Sequence, residues 1–399
     1  MKLSFFEQFF EKTDLDIRKN KNNPRFLDQK CTPDVLSFIA DCVLQMGKES
    51  FTRTDIWQNS YFVKNASFIF GKPSPENKSA DNEYDKFISQ PLDLLAYSRV
   101  LSKSNKGKQN IFYVESKEML EAVSINEKKA FDFLYAYFHK FAKDSGILSY
   151  IEKFLELQDS ESLETLKTKF IRLVYSNSNI GTRQSESNGE VEIRRIFPKF
   201  LNVFAVYANK KGIEKGRISK HGFIFPDLMY NRVNFRDVRK MKNITRHEQE
   251  MSKFSNTEKY FDFQMQKAMR WVKKHHPYSE INDKLYGKTD AVHHIFPKSL
   301  FPGICYYVEN LIALTAGQHL SLAHPNGDTK RIDSDYQRKC LHAKKETIKI
   351  CAERGKTDYS LPNFIYVLST GFDGKINIPV NSDFSQIGNI IDSFYEQNA

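Results

Sequence analysis

DAVHHIFPKSLFPGICYYVENLIALTAGQHLSLAHPNGDT, residues 290–329, carries four of the chain's ten histidines. Its parts come in a definite order. AVHHIF (291–296) is an apolar, β-prone run with adjacent His293 and His294, and ENLIALT (309–315) is a second such run opened by Asn310. AGQHLSLAH (316–324) reads as the first turns of a helix bearing His319 and His324. Strand, loop, strand, helix is a ββα unit. In a strand, neighbouring side chains point to opposite faces. A double His can therefore commit one imidazole to a metal ion and the other to a different task, and a helix packed across the hairpin can return a further His to the same ion. Neutral imidazole is a common ligand for divalent transition metals. One such cation beside a free imidazole suffices for phosphodiester hydrolysis, the imidazole taking a proton from water and the cation stabilising the developing charge.

The block resembles the HNH (ββα-metal) nuclease family. That family's pattern begins with Asp-His or His-His, places an Asn ahead of an apolar strand, and closes with a His on the helix. The resemblance implies that His293 is a metal ligand, His294 the general base, His319 a second ligand, and Asn310 the residue that fixes the loop and orients the base. His324 is left between three roles: completing the coordination, contacting the phosphate, or capping the helix before Pro325. One divalent ion is implied, with Mg²⁺ expected first and Mn²⁺ or Ni²⁺ as alternatives. No CxxC pair surrounds the module, so no structural zinc is expected. Lys298, Lys330 and Arg331 flank the site as candidate phosphate contacts, whereas the second double His, His275 and His276, reads as an ordinary surface pair.

The module is small within a chain of 399 residues, a length that suggests two or three domains. The chain carries 60 Lys+Arg and 49 Asp+Glu, a formal charge of +11. Residues 191–280 hold 20 of the cations and 9 of the anions, so the remainder is neutral. A basic excess this localised favours a polyanionic partner. Within it, Arg217, Lys220, Arg232, Asn234, Arg236, Arg239 and Lys240 are the candidate DNA contacts, because Arg reads guanine edges and phosphates and Asn reads adenine. RIFPKFLNVFAVYANKKGIEKGRISKH (195–221) is also similar to segments of HNH-class restriction enzymes.

The expected fold class is α+β and multidomain. Residues 1–180 form a helix-rich recognition region, 181–285 a basic DNA-binding and linking region, 286–345 the HNH module, and 346–399 a C-terminal extension. Pro33 and Gly47 bracket a helix, DVLSFIADCVLQMG, and another is expected over 83–103 with a break near Pro91. SNKGKQ then reads as a basic turn before the strand NIFYV (110–114). Over 32–116 this order resembles a winged helix-turn-helix, with a plain helical bundle as the alternative. SNSNIGTRQSESNGE (176–190) is the best linker by composition.

No run approaches the ~18 apolar residues of a membrane span. The start MKLSFFEQFFEKTDLD lacks the uninterrupted apolar stretch of a signal peptide. Five Cys, an odd number and without a CxxC pair, point to reduced thiols in a cytoplasm. A small catalytic module behind long recognition machinery resembles a Type II restriction endonuclease of the HNH class. That resemblance implies a bacterial cytoplasm, duplex DNA as substrate and a companion methyltransferase, and it is compatible with a homodimer. The alternatives are a homing-type HNH endonuclease and a non-catalytic DNA-binding regulator with a degenerate module. The tripeptide Glu115-Ser116-Lys117 also fits a PD-(D/E)xK nuclease, but less well than residues 290–329 fit HNH.

Overall fold

The computed structural model describes residues 4–19, 25–70, 74–76, 81–107, 109–178, 180, 186–230, 246–324, 332–356, 358–373, 375, 376, 378, 379 and 382–397. The chain is helix-rich with small antiparallel sheets and divides into two compact units, Met1–Met251 and Ser252–Ala399.

The first unit begins with α1 (Phe5–Glu11), closed by a capping box between Ser4 and Glu7. Its Phe6 and Phe10 are buried against Phe133. The next helix, α2 (Pro33–Met46), follows the sequence signals closely. Pro33 is pre-set for the first turn, and Gly47 ends the helix at φ 64°, where a side chain would be strained. Then come β1 (Ser50–Thr52), α3 (Arg53–Trp57), α4 (Ser60–Phe70) and α5 (Asp81–Tyr97). The strands β2 (Leu101–Lys106) and β3 (Gln109–Val114) complete a sheet of order β1-β3-β2.

The break expected at Pro91 does not occur, since α5 runs through it. An internal proline costs a helix about 3 kcal/mol. Here Leu92, Leu94 and Leu95 are fully buried on the following turn, and that packing outweighs the lost hydrogen bond.

Helices α6 (Lys117–Ser124), α7 (Glu127–Asp144), α8 (Leu148–Leu157), α9 (Ser160–Asn177) and α10 (Glu186–Tyr207) follow. The stretch expected to be a linker joins α9 to α10. These two helices share one aromatic core, with Phe170 5.0 Å from Phe197 and 5.1 Å from Phe200, so no compact unit ends near 180. The hairpin β4 (Lys211–Glu214) and β5 (Arg217–Gly222) closes through Lys215 and Gly216, both at positive φ as a tight hairpin turn requires. Asn202 on α10 holds the hairpin by exchanging two hydrogen bonds with the Ile213 backbone, at 2.7 and 3.0 Å.

The division between units falls within α11 (Arg246–His275). The second unit contains β6 (Ala291–His294) and β7 (Leu311–Leu314), then α12 (Ser334–Glu353), α13 (Leu361–Gly371) and α14 (Phe384–Gln397). Residues 346–399, expected as an extension, supply part of this unit's core. Phe372 stacks on Phe394 at 3.9 Å and meets Phe296 edge-on at 5.7 Å. The five cysteines are free thiols. Among the described residues no helix is long and apolar enough to cross a membrane.

Candidate metal centre

β6 and β7 pair antiparallel, with His293 opposite Ile312 and His294 opposite Leu311. Alternation along β6 sends the two imidazoles to opposite sides of the hairpin. His293 is buried at 4% exposure and meets His319 and His324, with ring centroids 5.2 and 4.9 Å away. His319 and His324 lie 5.0 Å apart by the same measure. One ring nitrogen from each of the three falls within 4.8 Å of the others, and among the described residues this is the one cluster of metal-ligand type.

His324 belongs to the cluster because of an unusual turn. Five residues of an α-helix sweep about 500°, which would leave His319 and His324 about 140° apart. Gln318–Ala323 instead forms a π-helical turn, whose i→i+5 bonding returns the fifth residue to the same side. Of the three roles open to His324, its position beside His293 and His319 favours coordination.

The electrostatics suit neutral donors. Burial pulls the His293 imidazole well below its usual pKa, and neighbouring His324 and His319 add to the effect. Burial, then His324, lowers His319. Three uncharged imidazoles can converge on a cation where three imidazolium ions could not. The Nε2 atom of His293 is fully buried without a hydrogen-bond partner, which is costly unless a ligand satisfies it. These residues therefore fit a divalent metal ion. The donors are all imidazole, a set that suits borderline transition metals better than Mg²⁺, which prefers oxygen.

His294 stands apart from the cluster. Its Nε2 lies 3.0 Å from the Cys305 carbonyl oxygen. A carbonyl only accepts, so in the neutral ring Nε2 carries the proton and Nδ1 keeps its lone pair. Burial lowers this ring's pKa, against a smaller opposing effect of the carbonyl.

The loop that supplies that carbonyl is held by Asn310, which has no exposed surface. Its amide donates to the Phe296 and Ile304 carbonyls at 3.1 and 3.2 Å and accepts from the Phe296 N–H at 2.9 Å. Asn310 thus ties the end of β6 to the 3₁₀ turn Pro302–Ile304, one residue before Cys305.

One residue of the site was passed over in the sequence. Gln318 is fully buried and uses all four amide valences. Its Oε1 accepts from Ser279 Oγ at 2.6 Å and Thr315 N at 3.0 Å, and its Nε2 donates to Ile281 O and Asp283 Oδ1, both at 2.9 Å. The Gln318 N–H donates in turn to Thr315 Oγ1 at 3.2 Å. Thr315-Ala-Gly-Gln318 is therefore a capping box at the start of the turn that presents His319 and His324, and the S/T-x-x-E/Q pattern was the available signal. Gln318→Leu is expected to weaken metal binding about 10- to 100-fold, as removal of a ligand-orienting partner does. Calorimetric titration of the purified variant checks this, and unchanged affinity would mean the turn keeps its shape without the amide.

The other sequence candidates fall elsewhere. Lys298 pairs with Asp262 at 2.5 Å. His275 stacks on Trp271 at 4.1 Å, and His276 lies 2.7 Å from the Tyr359 hydroxyl, so both are half-buried structural residues rather than a loose surface pair. Arg217 and Lys220 are exposed on β5, and three-residue spacing on a strand places them on opposite faces. Arg232, Asn234, Arg236, Arg239, Lys240, Lys330 and Arg331 lie outside the described residues.

Comparison of the chain with protein-family models, curated proteins and solved structures finds no match.

Proposed function

We propose that this protein is a metal-dependent DNA endonuclease of the HNH class, acting on duplex DNA as a Type II restriction enzyme does. One observation carries the reading: three imidazoles converge on one side of a β-hairpin, while a fourth, adjacent in sequence, is oriented separately on the other side. A purely structural histidine cluster has no need of that fourth ring or of the Asn310-braced loop behind it.

In this reading His293, His319 and His324 hold the ion. When bound, the ion supplies charge stabilisation at the scissile phosphate and its leaving oxygen. His294 Nδ1 accepts the proton of the attacking water. Cys305 O fixes the ring's tautomer and direction, and Asn310 fixes Cys305. The all-imidazole donor set argues for Mn²⁺ or Ni²⁺ ahead of Mg²⁺.

Two regions support DNA recognition. The order α2, β1, α3, α5, β2, β3 with sheet order β1-β3-β2 supports the winged-helix reading, with α4 as an addition, and in that reading exposed Lys106 at the end of β2 stands in the wing. The basic excess of 191–280 adds a second polyanion-binding segment. A bacterial cytoplasm and a companion methyltransferase belong to the same proposal.

Incubation with plasmid DNA and Mg²⁺, Mn²⁺ or Ni²⁺, with and without EDTA, tests it. Discrete fragments that EDTA abolishes are expected, and sequencing their ends gives the recognised site. A gel shift with intact DNA would favour the regulator instead, and a smear would favour a nonspecific nuclease.

A further inference from the structure

A short ladder precedes the metal centre. Tyr278 pairs with Lys288, Ser279 N–H donates to Gly287 O at 2.9 Å, and Thr289 N–H donates to Pro277 O at 3.0 Å. Strand alternation gives this hairpin two unlike faces. The inner face carries Ser279, which donates to Gln318, and Gly287, where a Cβ would lie 3.5 Å from Thr315. The outer face carries Tyr278, Tyr286 and Lys288. The two tyrosines are each 51% exposed, and their rings lie near-parallel, 17° apart with centroids separated by 6.2 Å.

Exposed lysines flank the two rings. They are Lys284 and Lys288. The neighbouring carboxylates are engaged: Glu280 with buried Lys344, Asp283 with Gln318 and the Leu285 N–H, and Asp290 with the Ala316 N–H. Two exposed aromatic faces beside two exposed lysines suit a ligand with flat rings and a phosphate backbone.

We propose that Tyr278 and Tyr286, flanked by Lys284 and Lys288, form a stacking platform for unpaired bases of a nucleic-acid strand. This deepens the nuclease reading and rests on it for its biological sense. Duplex DNA buries its base faces in its own stack, so the platform acts where a strand end or an opened step presents them. Stacking on aromatic side chains tolerates any base, which fits a module that cuts while other regions read the sequence.

Anisotropy of labelled oligothymidine with the full chain in EDTA tests this, because binding is then read without cleavage. The double variant Tyr278→Ala/Tyr286→Ala is expected to weaken single-strand binding roughly 5- to 150-fold, with duplex binding much less affected. Tyr278→Phe/Tyr286→Phe should bind as the parent does, since stacking needs the ring and not the hydroxyl. Lys284→Gln/Lys288→Gln should reduce the salt slope by about 0.7 per lysine, while the Ala pair leaves the slope unchanged. Unaltered binding by the Ala pair, equal losses for single strand and duplex, or no oligothymidine binding by the parent chain each overturn the platform. Metal-dependent plasmid cleavage by a chain that ignores oligothymidine would remove the platform and leave the nuclease reading standing. Oligothymidine binding without cleavage in any metal would do the reverse.

Discussion

Replacing His294 by Ala is expected to lower the rate of DNA cleavage by about 10²- to 10⁴-fold, the usual contribution of a general base. The variant should still bind metal, because His294 occupies the opposite side of β6 from the three-imidazole cluster. It should also fold. The ring is held neutral by burial, so its removal strands no buried charge and leaves only the Cys305 carbonyl without a partner, a loss of about 1 kcal/mol. Single-turnover cleavage and calorimetric metal titration on the same preparation separate the two effects. A rate within threefold of the parent would sink the assignment of the base, and lost metal binding would move His294 into the ligand set.

Replacing Glu280 by Ala should destabilise the second unit by about 3–5 kcal/mol, since it leaves a buried ammonium without its counter-charge. Glu280 and Lys344 side chains are 2% and 0% exposed and lie 2.7 Å apart. The carboxylate also accepts from Thr347 Oγ1 at 2.8 Å and from the Ala313 N–H of β7 at 2.9 Å. It therefore ties α12 to the strand opposite the metal-binding histidine. Burial alone would push this carboxyl's pKa up, but Lys344 with His276 and the hydrogen bonds reverses that and holds it below its usual 4.5. A carboxylate whose folded pKa is depressed stabilises the fold above its unfolded pKa, and that stability is lost as pH falls through the folded value. Glu280→Gln should therefore lessen the acid sensitivity of unfolding below about pH 4.5. Denaturant melts at pH 7 and across the acid range check both effects. Removing the pair together, as Glu280→Leu/Lys344→Met, should recover much of the loss. A single-variant cost under 1 kcal/mol would show that the ammonium finds water instead.

How far the sequence reached depended on whether the signal was local. The strands β6 and β7 were legible in HHIF and NLIAL because β-prone runs with a turn between them leave a short-range pattern. Helix α2 was legible in Pro33 and Gly47 for the same reason. The continuity of α5 through Pro91 was not, because packing against distant residues decides it. The bond between Glu280 and Lys344 spans 64 positions, and nothing within either neighbourhood announces the other. His324 was legible as a candidate third ligand, but coordination was one role among three, since its spacing from His319 is wrong for an α-helix. Gln318 lies in a local capping pattern, Thr315-Ala-Gly-Gln318, but the four partners of its amide include residues up to 39 positions away, which no local pattern encodes. The division at 251 falls inside a helix, where composition gives no mark.

The π-turn at Gln318–Ala323 has a consequence for how such centres can vary between chains. A wider turn carries one more residue around the same arc. A chain with an ordinary α-turn at this place would present the same two imidazoles with one residue fewer between them. The number of positions separating two such ligands is therefore not a fingerprint of the centre, and a one-residue gap or insertion here is a change the backbone can absorb. What must persist is the side of the turn from which the two rings emerge.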